Sequence, residues 1–133
     1  MSTTAQATVR DYYDALRNGD LLEPYFLEDE STVKFGISEE LFGFERVREA
    51  LRKQTETTAD WTVESDRLEV AERDAFATFA DEVTMAWTDT ESGEDRRFET
   101  RWSGTLVRSA VERADDEQDW LFATMHVSTA REL

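Results

Sequence analysis

The spacing of apolar residues shifts lastingly near the middle of this 133-residue chain, and that change limits the folds open to it. Up to about Thr57 the apolar positions recur at intervals of three and four, apart from one short alternation at Val33, Phe35 and Ile37. From Trp61 onward they recur at intervals of two. The first period is that of helices with one buried face, the second that of strands with one buried face. Helices followed by a run of long strands predict an α+β fold, the helices covering one side of an antiparallel sheet. No linker divides the chain, which reads as one domain over 1–133.

Ala5, Val9, Tyr12, Tyr13 and Leu16 form the stripe of a first helix, expected over Thr3–Asn18, with Gly19 just past its end. Asp20 and Glu23 open a short second helix through Leu21, Leu22, Tyr25 and Phe26, with Pro24 in its first turn. Val33, Phe35 and Ile37 lie on one side of a strand over Thr32–Ile37. Ser38–Gly43 reads as a connector, and Phe44, Val47, Ala50 and Leu51 face one way on a helix to about Thr57. The alternation of Trp61 and Val63 slips by one before Leu68 and Val70, which predicts a bulge near Ser65 or Asp66. Ala75–Thr88 and Phe98–Val111 are long strands, Glu112–Asp119 is an acidic loop, and Trp120–Ser128 is the last strand. That last strand is apolar on both sides if the period of two runs through it. Trp120, Phe122 and His126 then share one face, and Leu121, Ala123, Met125 and Val127 share the other. The second row lies away from the helices and calls for a partner, most simply a homodimer through the outer sheet face.

Charge excludes several classes of function. Asp and Glu number 31 against 15 Lys and Arg, a net charge of −16. A nucleic-acid binder needs a basic footprint, and an anionic membrane needs basic clusters; neither is present. No stretch approaches the ~18 apolar residues of a membrane span, and the N-terminus lacks an apolar secretory core, so a soluble cytoplasmic protein is expected. Only Lys34 and Lys53 are lysines; the other 13 basic residues are arginines. Many acids with few lysines suit a protein from a salt-accumulating halophile, because at molar salt the Debye length is about 3 Å and dense like charge repels little. The plainer alternative is an ordinary acidic protein.

With no cysteine and the single histidine His126, the chain offers neither a thiolate nucleophile nor a site with two histidine ligands. No glycine loop for phosphate, nucleophile elbow or dinucleotide fingerprint is found, so no cofactor is expected. The acidic pairs Asp29-Glu30 and Glu39-Glu40 and the run Asp115–Glu117 lack the spacing of a calcium loop and read as solvated surface; no metal is expected.

The order of elements, together with Tyr12-Tyr13-Asp14-Ala15-Leu16, Gly19-Asp20, Leu22, the helix start at Gly43–Leu51 and the ending Trp120–Ser128, resembles the SnoaL-like branch of the nuclear transport factor 2-like superfamily. The ending is also similar to that of the calmodulin-dependent kinase association domain. The resemblance implies a conical α+β barrel, in which a strongly curved, mainly antiparallel sheet wraps the N-terminal helix and leaves a pocket at its open end. It implies dimers through the outer face of the sheet. It does not imply one activity, because the fold carries isomerases, cyclases, hydrolases and dehydratases as well as assembly modules.

Six side chains are candidates for chemistry. His126, the chain's one histidine, is a general base, a ligand donor, or a histidine satisfied by a neighbouring carboxylate or carbonyl. Asp81 interrupts the apolar phase of Phe79 and Val83, so it is either paired or functional. Arg101 offers a guanidinium to a carboxylate or phosphate, or pairs with Asp81 or Glu82. Tyr13 on the first helix, and Trp61 and Trp87 on the strands, line a pocket or fill the core. The first reading of function is a domain that binds a small apolar molecule in the cone, as a lyase, isomerase or hydrolase using general acid–base chemistry. The second is a non-enzymatic association module with a filled pocket. An open cavity of about 300 Å³ or more favours the first.

Overall fold

A computed structural model of the chain describes residues 4–109 and 119–130. Helix α1 spans Ala5–Asn18, and the Thr4 side chain caps it by accepting from the amide of Ala7 at 3.0 Å. A short 3₁₀ turn covers Glu23–Tyr25, with Pro24 in its first turn as expected. Strands β1 (Val33–Gly36) and β2 (Glu39–Phe42) follow, then α2 (Phe44–Thr57). The remaining strands are β3 (Thr58–Ser65), β4 (Glu69–Glu72), β5 (Phe76–Asp89), β6 (Asp95–Arg108) and β7 (Trp120–Thr129). The fold is α+β: two helices and a seven-stranded mixed sheet ordered β2-β1-β7-β6-β5-β3, with β4 also on β5. All pairings are antiparallel except β1 with β7, and the sheet does not close into a barrel. Among the described residues no helix is long and apolar enough to cross a membrane. The acidic loop expected at Glu112–Asp119 lies, apart from Asp119, outside the described residues.

The sheet is one-sided. On β5 the buried residues Ala77, Phe79, Asp81, Val83 and Met85 alternate with the exposed Thr78, Ala80 and Glu82. Thr100, Trp102 and Leu106 of β6 continue the buried face. The α1 stripe of Ala5, Val9, Tyr12, Tyr13 and Leu16 packs into that face. Three polar ties hold the helix there. The Ala5 amide donates to Glu72 Oε1 at 2.8 Å, Tyr13 bonds Asp81, and Arg17 reaches the Val63 carbonyl at 2.6 Å. Each tie satisfies a group that would otherwise be desolvated without a partner.

Two stretches before β5 differ from their sequence reading, and a third agrees with it. The connector at Ser38–Gly43 is in fact the turn and second strand of a hairpin, with Gly36 opposite Glu39. On the edge of β5 the chain inserts one residue between the pairs Ser65–Val83 and Glu69–Ala80, the slip the alternation predicted. A further bulge, which the pattern did not signal, lies between Ala59 and Thr62, where Asp60 takes a left-handed φ of 55°.

The largest difference is in β7. Leu106 pairs with Phe122 and Thr105 with Thr124, so Ala123 is an extra residue and the strand changes face there. Trp120 and Phe122 point inward before the bulge, and Met125 and Val127 point inward after it. His126 is therefore exposed on the outer face, opposite Ser103, and not beside Trp120 and Phe122 as the unbroken alternation had it. The outward apolar row of Leu121, Ala123, Met125 and Val127 does not exist as a row. Gly104 accommodates the bulge: a Cβ there would strike the Thr124 carbonyl oxygen and come within 2.9 Å of the Phe79 ring.

Candidate functional site

A cavity of about 360 Å³ opens at the end of the fold where α1 and α2 finish, the β1–β2 hairpin turns, and β5 passes into β6. Its wall is aromatic. Trp61 and Trp87 stack with ring centroids 4.6 Å apart and planes 19° apart, and Phe98 lies 5.5 Å beyond Trp87. The bulge at Asp60 sits immediately before Trp61, where β3 runs against the end of β5.

Two of the three indole N–H groups on the wall are tied off. Trp61 Nε1 donates to Thr58 Oγ1 at 2.8 Å, and that hydroxyl donates to the Gln54 carbonyl at 2.6 Å. Trp102, also on the wall, repeats the device through Thr100 to the Val83 carbonyl. Both rings are thus fixed in orientation and present faces and edges to the cavity rather than donors.

The buried charge of the cavity is Lys34. It pairs with Met125 on β7, the inward register, and is only 6% exposed. Its Nζ lies 2.7 Å from Oε1 of Glu39, across the hairpin turn. A buried ammonium is costly without a counter-charge, and Glu39 supplies it. Gly36 makes the approach possible, since a Cβ there would sit 2.6 Å from that same Oε1. Tyr12 completes this end. Its hydroxyl has no hydrogen-bond partner among the described residues. Burial first, then the negative field of Glu39, hold that hydroxyl far above the ordinary tyrosine pKa, so it stays a neutral donor. At the mouth stand Asp89 and Arg96, the latter 3.3 Å from Glu94.

Of the six candidates named from the sequence, Trp61 and Trp87 line this cavity and the other four do not. Tyr13 and Asp81 lie under α1. The Asp81 carboxylate accepts from Tyr13 Oη at 2.9 Å, from Ser65 Oγ at 2.6 Å and from the Arg67 amide at 2.8 Å, so it closes the break between β3 and β4. Arg101 faces outward, opposite Glu82 in register, with no ion pair among the described residues. His126 is also outside, edge-on to Phe35 at 5.7 Å. Among the described residues no group of three or more His, Asp or Glu is placed to hold a metal.

Lys34, Glu39 and Tyr12 were not singled out together by the sequence pattern. The available signal was slight: one of only two lysines, set inside a strand, with a glutamate five positions on. The apolar side of that strand, Val33 and Phe35, turned out to be its outer side, paired with Thr124 and His126.

No curated protein matches the sequence. Solved structures match closely in shape and weakly in sequence. A nuclear transport factor 2-like superfamily protein from Salmonella enterica superposes with a TM-score of 0.76 at 13% identity, over 94% of this chain and 87% of that one. A protein provisionally assigned as a dehydratase of the same superfamily, from Streptomyces avermitilis, gives 0.78 at 13% over 96% and 94%. A ketosteroid isomerase-like protein from Erwinia carotovora atroseptica gives 0.72 at 18% over 96% and 94%. At these identities the likeness establishes the nuclear transport factor 2-like fold. The model of the SnoaL-like domain matches residues 5–132, and the chain belongs to that family.

Proposed function

We propose that the cavity binds a small planar, mainly apolar molecule bearing an oxygen function, and that the domain moves a proton on it, as a lyase or isomerase does. The observation that carries this reading is the buried Lys34–Glu39 pair at one end of an aromatic-walled cavity. Binding sites for small molecules combine an apolar lining with a few converging polar groups. Stacked Trp61 and Trp87 suit a flat ring system. Lys34 and the Tyr12 hydroxyl are donors toward a ligand oxygen, and Glu39 is the carboxylate available to take a proton from an adjacent carbon. In such a step the C–H electron pair moves toward the carbonyl, and the charge gathers on the oxygen that the donors face. The names attached to the Streptomyces and Erwinia relatives, a dehydratase and an isomerase-like protein, agree with chemistry of this kind.

A closed cone with Arg101 paired to Asp81 would favour the association module. Arg101 and Asp81 stand on opposite faces of the sheet, and the cavity is open, which supports the small-molecule reading. The test uses 2-tetralone, a flat bicyclic ketone, in heavy water. The protein is expected to speed exchange of its α-hydrogens, followed by proton NMR, and Glu39→Gln to remove the effect. Calorimetry with 2-naphthamide is expected to show binding that Trp87→Ala weakens about tenfold. Neither exchange nor binding would end this reading.

A further inference from the structure

We propose that Lys34 anchors a carboxylate on the ligand's aromatic ring, and that Glu39 is a built-in stand-in which the ligand's carboxylate displaces. The inference rests on the small-molecule reading above and names the ligand class: planar aromatic carboxylates rather than neutral aromatics.

The two halves of the ion pair are unequally placed. The Lys34 side chain is 8% exposed and the Glu39 side chain 36%. An exposed carboxylate that swings away recovers its hydration at small cost. The buried ammonium has no such recourse and must keep an anion beside it. Exchange of Glu39 for a ligand carboxylate is therefore close to neutral at the ion pair, and the ring contacts with Trp61 and Trp87 decide the outcome in favour of the ligand. A neutral ligand leaves the pair as it is and must bind around it.

Glu39 is also held by a contact that is easily lost. It comes from the strand position just after a two-residue turn, and its path to Lys34 runs through the space that a Cβ at Gly36 would fill. Elsewhere the chain carries a net charge of −16, a field that repels anions. A buried cation facing a cavity is thus the local exception that lets an anion enter. Once displaced, Glu39 remains at the cavity edge, where it can act as the base described above.

The experiment compares 2-naphthoate with its neutral isostere 2-naphthamide by calorimetry on the full chain. The wild type is expected to bind naphthoate at least fivefold more tightly. Glu39→Gln removes the stand-in and is expected to widen the preference to tenfold or more. Gly36→Ala, which crowds Glu39 off Lys34 without touching any charge, is expected to widen it likewise and covers the case in which Glu39→Gln folds poorly. Lys34→Met is expected to abolish the preference. Amide binding as tight as naphthoate in the wild type, and unchanged by Gly36→Ala, would overturn the inference while leaving the cavity as a small-molecule site. Failure of both compounds to bind would overturn both.

Discussion

Tyr13 donates its hydroxyl hydrogen to Oδ2 of Asp81 at 2.9 Å, across the interface between α1 and the sheet. The same carboxylate receives Ser65 Oγ and the Arg67 amide, so one acid on β5 holds the helix and mends the broken edge strand at once. Tyr12, next in sequence, points instead to the cavity. Two adjacent tyrosines on one helix thus serve two ends of the fold.

Loss of the Asp81 tie is expected to cost stability and spare the cavity. Tyr13→Phe removes one hydrogen bond to a charged group, about 1.5–3 kcal/mol. Asp81→Ala leaves three donors without an acceptor and is expected to cost more. Urea denaturation measures both, and naphthamide binding by the folded Tyr13→Phe protein should match the wild type.

Alkaline unfolding should begin near the ordinary tyrosine value of 10.0. Burial, and then the carboxylates of Glu39 and Asp81 respectively, raise the folded-state values of Tyr12 and Tyr13. Above pH 10 the unfolded chain loses these protons while the folded chain keeps them. The contribution is thus complete below the unfolded value and is lost as the pH rises. Tyr12→Phe and Tyr13→Phe should each flatten the alkaline fall in stability, followed by circular dichroism between pH 8 and 12.

The bulge at Ala123 makes opposite forecasts for neighbouring residues. Met125 is 1% exposed, and Met125→Ala is expected to cost about 2–5 kcal/mol. His126 is exposed on the outer face, and His126→Ala should stay within about 0.5 kcal/mol and leave cavity binding unchanged. An uninterrupted strand would make His126 share the inner face of Trp120, and a large loss on His126→Ala would point to that arrangement.

Salt should stabilise the protein. A net charge of −16 on 133 residues opposes compaction by self-repulsion, and salt screens it. The Tm is expected to climb steadily from dilute buffer to molar potassium chloride. A flat response would favour the ordinary acidic protein over the halophile.

The homodimer stands as a proposal on other residues than the sequence suggested. The outer face around Ala80, Ser103 and His126 is bare, and Phe42 on the edge strand is 62% exposed. Light scattering at micromolar concentration is expected to give a dimer, and Ser103→Arg, at the middle of that face, to give a monomer. A wild-type monomer would refute it.

The sequence by itself determined the α+β class, the order of helices and long strands apart from β2, the stripe of α1, the slip after Ser65 and the family. These follow from local periods, which a chain carries in its own residue order. The tertiary structure alone decided which face each strand residue takes beyond a bulge. One extra residue at Ala123 inverts every later position in β7, and its cause lies in the pairing with β6 and the space at Gly104, not in β7 itself. The same holds for the site. Lys34 reads as the polar side of a short strand until β7 places Met125 beside it, turning that side inward. Glu39 reads as solvated surface until the hairpin folds it over Gly36 onto the ammonium. Burial of a charge is a property of what surrounds it, and here the surroundings come from elements some ninety residues away in the chain.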